Sequence, residues 1–151
     1  MLSRTADHLY WMARYIERAE NVARVLEVTY GMSLLPSDAS NDEELWDSVL
    51  EIAGVRDIYE ATYTDISAAQ VIQHLVMDSH NPSSIYSSLR SARENARAVR
   101  VAMTVETWEN MNTLWLEFDQ FIKQDLTQSG LSEFCEWVKS RSHLFRGVCF
   151  G

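Results

Sequence analysis

The sequence predicts an all-α fold, an antiparallel helical bundle of about six helices. Apolar residues recur at alternating steps of three and four along most of the chain, which is the spacing of one helix face. No window shows sustained alternation at every second residue, so strands are not expected. Five glycines and two prolines in 151 residues leave few turns, which favours long helices with short connections.

The first helix is predicted to run from about residue 5 to about residue 30 and to end near Gly31. Its apolar seam consists of Leu9, Met12, Ile16, Ala19, Ala23, Leu26 and Tyr30. A loop with Pro36 follows, and the run SNDE at 40–43 has the form of a capping box. This run predicts a second helix that stops at Gly54 and carries Leu45, Trp46, Val49 and Ile52.

The next two helices are predicted on either side of a break at Asn81 and Pro82. The third helix starts near Asp65, which can act as its N-cap. Pro82 suits the first turn of the fourth helix. The seam of that helix consists of Ile85, Leu89, Ala92, Ala96, Val99 and Met103. Its two alanines allow a neighbouring helix to approach closely.

Thr104 and Glu106 mark the start of the fifth helix, whose spacing continues until Ser129 and Gly130. Its apolar residues are Trp108, Met111, Trp115, Phe118 and Ile122. The sixth helix carries Leu131, Phe134, Cys135, Val138, Phe145 and Cys149. Its two cysteines would lie about 21 Å apart along the axis, beyond disulfide reach, so we expect reduced thiols.

The charge and the hydropathy pattern exclude two classes of partner. A net charge of −9 and a pI near 4.8 argue against nucleic acid, because phosphate binding needs a basic surface. No apolar run is long enough to cross a bilayer, and the amino terminus has no secretory signal pattern. We therefore expect no membrane association and a cytoplasmic location.

The segment that characterises the chain most strongly is SRTADHLYWMARYIERAEN at 3–21, which joins an apolar helical stripe to a dense run of polar side chains. It resembles the opening of the alpha-E domain, a bacterial all-helical family named for a Glu-Arg motif, here Glu17 and Arg18. Four further segments are similar to alpha-E signatures in the expected order, namely NPSS at 81–84, ARENAR at 92–97, ETWENMN at 106–112 and SHLFRG at 142–147. The resemblance covers residues 1–151 as a single domain.

One departure from the family concerns length. Typical alpha-E domains are about twice this long and continue into a second half with another Glu-Arg helix, so this chain resembles the N-terminal half. The last predicted helix also ends in apolar residues, namely Leu144, Phe145, Val148, Cys149 and Phe150. We therefore expect a homodimer in which each copy stands in for the missing half of the other, with a monomeric fragment as the alternative.

Two faces carry the polar side chains that are candidates for a binding site. On the first helix, a face roughly opposite the apolar seam carries Tyr10, Arg14, Glu17, Asn21 and Arg24. On the fourth helix, one side carries Arg90, Arg93, Arg97 and Arg100. Guanidinium groups bind carboxylates and phosphates through paired hydrogen bonds, so this cluster favours an anionic ligand.

A structural interpretation of the same residues stays open. Arg90 with Glu94, and Glu20 with Arg24, are ordinary pairs four residues apart on one helix. Glu17 can likewise bridge to an arginine of the fourth helix. In that interpretation the charges stabilise the bundle and bind no ligand.

No metal site, cofactor or nucleophilic dyad is predicted. Di-iron centres of helical bundles use a glutamate three residues before a histidine, and no glutamate here has that spacing. His74 and His80 straddle a predicted helix end, and the other histidines stand alone, as hydrogen-bonded packing residues do. The Ser-His neighbours at 79–80 and 142–143 would point about 100° apart on a helix.

The family resemblance implies a function. Alpha-E domains are encoded beside, and sometimes fused to, ATP-grasp ligases and transglutaminase-like proteins, which implies a non-enzymatic partner or peptide-binding module of a peptide-synthesis or modification system. The residues expected to carry this function are Arg14, Glu17, Arg18, Asn21, Arg93, Glu94, Asn95 and Arg97. The arginines would receive carboxylates of a peptide or partner, and Glu17 would orient them or receive an amine.

Two alternative functions remain. One is an enzyme of the same pathway, with Glu17 as general base in a cleft between the first and fourth helices. The other is a purely structural dimer whose polar motif fixes the helix register.

Overall fold

The three-four spacing of apolar residues produces helices along almost the whole chain. The computed structural model describes residues 2–36 and 39–150, in which there are seven α-helices, one 3-10 turn and no strand. The helices are α1 (Leu2–Ser33), α2 (Ala39–Ala53), α3 (Arg56–Thr62), α4 (Ala68–Val76), α5 (Ile85–Ala98), α6 (Val105–Phe121) and α7 (Leu131–Phe150). The predicted all-α fold is confirmed. None of the described helices is long and apolar enough to span a membrane.

Helix α1 is the central element, and its 32 residues extend about 48 Å. Its predicted seam is confirmed, because Met12, Ile16, Ala19, Ala23 and Leu26 are fully buried. The helix packs most extensively against α5 and also contacts α7 and α2. Helices α5, α7 and α2 therefore pack directly on α1.

Small residues let α5 lie close to α1. Ala19 and Ala23 on α1, and Ala92 and Ala96 on α5, are all completely buried. Alanine side chains allow two helix axes to approach more closely than larger residues do. The close approach expected from the alanines of this helix, the fourth in the sequence prediction, is confirmed.

Aromatic rings hold α6 and α7 together. The rings of Phe118, Phe121, Phe134 and Trp137 contact one another with centroids 5.1 to 6.3 Å apart. Beside them, the Glu117 carboxylate accepts hydrogen bonds from the Trp137 indole at 2.7 Å and from the Arg141 side chain. These aromatic residues belong to the core or pack against it.

Several predicted helix ends are wrong, each for a local reason. Gly31 does not end α1, which continues to Ser33. Ser67, not Asp65, caps α4, because its hydroxyl accepts from the backbone N–H of Gln70. Pro82 precedes α5 instead of lying in its first turn.

Other boundaries are confirmed or only partly correct. Gly54 ends the α2 region with a φ of 69°, and Thr104 caps α6 through its hydroxyl. Helix α6 ends at Phe121, before the predicted Ser129 and Gly130. A short helix not predicted, α3, occupies residues 56–62. The capping-box side chains at 40 and 41 lie outside the described side chains.

Candidate functional site

Helices α1 and α5 run antiparallel and place the two predicted polar faces side by side. At one end, a cavity is lined by Ser3, Arg4, Thr5 and His8 of α1 and by Ala98 and Val99 at the end of α5. Further along α1, Arg18 borders the beginning of α5. Ser84 starts α5 at this point, since its hydroxyl accepts from the backbone N–H of Ser87 at 3.0 Å. The Glu-Arg segment of α1 therefore faces the first half of α5.

A polar cavity of about 260 Å³ opens between these helices. It is lined by Tyr15, Arg18, Ser79, Pro82, Ser87, Arg90, Ser91 and Glu94. The Arg18 guanidinium lies over the Tyr15 ring, 5.4 Å from its centroid. Arg90 and Glu94 form an exposed pair with an N···O distance of 3.4 Å. The cavity thus combines two guanidinium groups, one carboxylate and three serine hydroxyls.

A second cavity, of about 210 Å³, shares Arg18 with the first. It is lined by Arg18, Asn21, Val22, Val25, Ile52, Ala53, Leu75 and Ser83. Most of these residues are aliphatic, and Ile52 is 72% exposed. We call the two spaces the polar cavity and the aliphatic cavity.

Three of the predicted site residues line these cavities. Arg18 borders both, Glu94 borders the polar cavity and Asn21 borders the aliphatic cavity. Arg18 and Glu94 come from motifs more than seventy positions apart, and the α1–α5 packing brings them to one pocket.

Arg14 and Glu17 lie beside the cavities on the exposed face of α1. The Arg14 guanidinium donates to the Glu17 carboxylate at 3.2 Å, and the two side chains are 50% and 46% exposed. Glu17 therefore pairs within its own helix, and the expected bridge to an arginine of the neighbouring helix is not formed among the described residues. The Glu17 carboxylate is therefore open to solvent and already paired.

The remaining predicted residues of α5 point in different directions. Asn95 contacts α1, because its carbonyl oxygen lies 2.9 Å from Nδ1 of His8 while its amide donates to the Ser91 carbonyl. The Arg93 guanidinium lies over the Trp115 ring of α6, 5.7 Å from the centroid. Arg97 is exposed. The arginines of this helix are thus divided between the α1 side, the α6 side and solvent.

A charged cluster between α1 and α7 was not predicted as a site. Glu20 is 5% exposed and accepts hydrogen bonds from Arg24 and from Arg146 of α7. The His143 ring lies 3.3 Å from the Arg24 guanidinium and 3.5 Å from that of Arg146. The Glu20–Arg24 pair was recognised in the sequence, but only the packing of α7 supplies its second arginine.

The electrostatics of this cluster favour the ionised carboxylate. Burial by itself would raise the pKa of Glu20, but the Arg24 hydrogen bond and the Arg146 charge outweigh it and lower the pKa. The carboxylate is therefore charged at neutral pH and joins the two helices.

The histidine of α4 is a buried packing residue. His74 is fully buried, its Nδ1 lies 2.8 Å from the Asp78 carboxylate, and its ring packs edge-on against Tyr59 and Tyr63. The Asn81 amide donates to the His74 carbonyl at 3.1 Å. This network closes the turn between α4 and α5, and it shapes the segment that borders both cavities.

The fold and the polar face define an all-α domain built around one long helix that carries a Glu-Arg pair. The chain belongs to the Alpha-E family, described as a predicted alpha-helical domain with a conserved ER motif, whose family model matches residues 1–151. The family membership inferred from the ordered motifs is therefore confirmed.

Curated relatives have been found in mycobacteria. An uncharacterised protein of Mycobacterium bovis is 31% identical over 117 residues, which cover 70% of this chain and 13% of the relative. Two uncharacterised proteins of Mycobacterium tuberculosis strains are 31% and 30% identical over the same length and shares. The chain thus spans 13% of the length of the curated relatives it matches. No solved structure matches the chain.

Proposed function

We propose that this chain is a non-enzymatic binding module of a peptide-synthesis or peptide-modification system. Its partner is an ATP-grasp ligase or a transglutaminase-like protein, and its binding surface is the polar cavity between α1 and α5. The partner class comes from what the family resemblance implies. The observation that carries the choice of surface is the meeting of Arg18 and Glu94 in one open pocket.

The available charges support binding of an anionic group. The Arg18 guanidinium contacts the Tyr15 ring, and among the described residues it forms no ion pair. The N–H donors of a guanidinium lie in the plane of that group. When one face of the guanidinium packs on an aromatic ring, these donors stay available for a carboxylate. Ser87 and Ser91, one turn apart on α5, add hydroxyl donors at the same pocket.

Binding is favoured over catalysis by the environment of Glu17. A general base must lie within hydrogen-bond reach of the proton that it abstracts, in a site from which bulk water is excluded. The Glu17 side chain is 46% exposed and its carboxylate already accepts from Arg14. Orienting the neighbouring arginines is a role that this geometry supports better.

The test is co-purification with the ligase or transglutaminase-like protein of the same organism. The variants Arg18→Ala and Glu94→Ala remove cavity side chains, whereas Lys123→Ala changes an exposed residue of the α6–α7 connection. We expect the two cavity variants to lose the partner and the control to retain it, with unchanged circular dichroism for all three. Retention by Arg18→Ala contradicts the assigned surface, and failure of the wild-type chain to bind either partner contradicts the proposed function.

The homodimer remains a prediction. Exposed aliphatic side chains near the end of α1, namely Val28, Met32, Leu34 and Leu35, offer a surface for a second copy. Sedimentation equilibrium of the wild-type chain and of Met32→Ser measures the mass directly. A monomeric mass at 100 µM, about the highest practical concentration for weak dimers, contradicts the homodimer.

A further inference from the structure

Arg18 lines two cavities of opposite character. The polar cavity contains the serines and Arg90, and the aliphatic cavity contains Val22, Val25 and Leu75. The adjacent residues Pro82 and Ser83 border one cavity each. A ligand that contacts both must therefore carry an anionic group and an apolar group close together.

The polar cavity suits a carboxylate. Arg18 supplies a guanidinium without a carboxylate partner in the described part of the chain, and a guanidinium binds a carboxylate with two parallel hydrogen bonds. Glu94 already neutralises part of the Arg90 charge through their 3.4 Å pair. Arg18, Arg90 and Glu94 together give the polar cavity one excess positive charge. This charge matches a monoanion better than a phosphate dianion.

The aliphatic cavity suits a branched aliphatic side chain. Leu75 forms its floor and is fully buried, and Ile52 stands at its rim with 72% of its surface exposed. Apolar groups that enter the cavity would remove Ile52 and Val25 surface from water, which is favourable in proportion to the area covered. Asn21 and Ser83 at the rim supply amide and hydroxyl groups that can contact a peptide backbone.

We propose that the two cavities together bind the C-terminal residue of a peptide that ends in leucine, isoleucine or valine, with its α-carboxylate on Arg18 and its side chain in the aliphatic cavity. This inference rests on the proposed function, since it uses the same surface, and it adds the identity of the group that is recognised. The carboxylate and the side chain of a C-terminal residue are attached to the same α-carbon, so one residue can present both groups to the two cavities that Arg18 lines.

The test is a titration of the whole chain with four probes. Binding is monitored through the NMR chemical shifts of the backbone amides. The probes are acetyl-Gly-Gly-Leu with a free carboxylate, the same peptide as its C-terminal amide, acetyl-Gly-Gly-Gly with a free carboxylate, and inorganic phosphate. We expect the free leucine peptide to shift residues around both cavities. The amide and the glycine peptide should each bind at least about tenfold more weakly, because each lacks one of the two recognised groups.

Matched variants locate the binding. Arg18→Gln should weaken the free leucine peptide about tenfold or more and leave the amide unaffected. Ile52→Ser should reduce the preference for leucine over glycine. Lys123→Gln, remote from both cavities, should change neither. Thermal unfolding of each variant checks that the fold is retained, and Arg18→Lys provides a second variant if Arg18→Gln unfolds.

Four results overturn the inference. They are equal binding of the amide and the free acid, equal binding of leucine and glycine peptides, unchanged binding by Arg18→Gln, and phosphate binding as tight as that of the leucine peptide. If these results occur while partner co-purification still depends on Arg18, the proposed function stands and the peptide C-terminus is the wrong ligand. If neither the partner nor the peptide depends on Arg18, the assigned surface and the peptide inference both fail, and the proposed function fails only if the wild-type chain binds neither partner.

Discussion

Replacing Glu20 by glutamine tests how strongly the α1–α7 contact depends on charge. The Glu20 carboxylate is buried, and it accepts from Arg24 of its own helix and from Arg146 of α7. Glutamine has nearly the same shape, so packing is conserved. The substitution removes the negative charge and turns one acceptor atom into a donor that faces an arginine.

The expected loss in the free energy of unfolding follows from the exposure of the Glu20, Arg24 and Arg146 side chains. Exposed ion pairs contribute about 0.2–1 kcal/mol, whereas breaking a fully buried pair costs about 3–5 kcal/mol. The Glu20 side chain is 7% exposed, but those of Arg24 and Arg146 are 48% and 39% exposed, so water can solvate the arginines left behind. We expect Glu20→Gln to lower the free energy of unfolding by about 2 kcal/mol at pH 7.

The assay is urea unfolding followed by tryptophan fluorescence, with the slope of the transition compared between proteins. Because the pKa of Glu20 is lower in the folded chain than its unfolded value of 4.5, the stabilisation is fully present above that value. It is lost as the pH falls through the folded pKa. The difference between wild type and Glu20→Gln should therefore be constant from pH 8 to pH 6, and it should shrink below about pH 4.5.

The control is Glu109→Gln, which changes an exposed glutamate of α6 and should cost less than about 0.5 kcal/mol. A loss of less than about 0.5 kcal/mol for Glu20→Gln would refute the reasoning. So would a difference between the two proteins that stays the same between pH 7 and pH 3.

Three further predictions concern other parts of the fold. Glu117→Gln should cost about 1 kcal/mol in urea unfolding, because the Arg141 hydrogen bonds hold the carboxylate charged and lower its pKa, while solvent screens a side chain that is 37% exposed; a neutral effect contradicts this. Burial raises the pKa of Cys135 to about 12, so the thiol should not react with iodoacetamide at pH 8 until urea unfolds the chain. Peptide mapping measures the alkylation of Cys135, and rapid labelling of the folded chain contradicts this prediction. Ser84→Ala should cost about 1 kcal/mol through loss of the α5 N-cap, whereas Ser84→Gly, which fits this fully buried position, should cost only a few tenths of a kcal/mol; equal losses by alanine and glycine at this position contradict the capping role.

The helices were predictable because their signals are local. The α1 seam is visible in the sequence as a run of three-four steps, and it requires no knowledge of what packs against it. Thr104 could be recognised as a helix start because capping depends on the next three residues. The structure contains both features because the local helix preference of these residues agrees with the positions that the core buries.

The mistaken boundaries arise where several residues compete for the same role. Asp65 and Ser67 are both good N-caps, and the Tyr59 hydroxyl, which donates to the Asp65 carbonyl at 2.6 Å, holds the earlier residue outside the helix. Gly31 has room and a helical backbone, so α1 continues through it. Helix α3 is only seven residues long and lacks a side-chain cap, so no sequence signal marked it.

The candidate site was only partly predictable. The sequence located Arg18 and Glu94 in two motifs, but it offered no means of deciding which arginine of α5 faces α1. Arg93 lies on Trp115 and Arg90 lines the polar cavity, although both belong to one cluster in the sequence. Helix geometry fixes the angle between the Arg90 and Arg93 side chains around the α5 axis. Which of the two faces α1 can be decided only when the packing direction of α5 is known.

The amino-acid sequence by itself determined the all-α class, the central apolar seam and the family, because periodicity and ordered motifs are properties of the chain read in one dimension. Tertiary structure alone decided which charges of different helices meet. Glu20 contacts a second arginine on α7, and Arg18 lines two cavities, because helices more than 50 residues apart in the chain pack side by side. Ion pairs and pockets depend on distances of a few ångströms between such helices, and those distances are set by the shapes of the side chains buried between them.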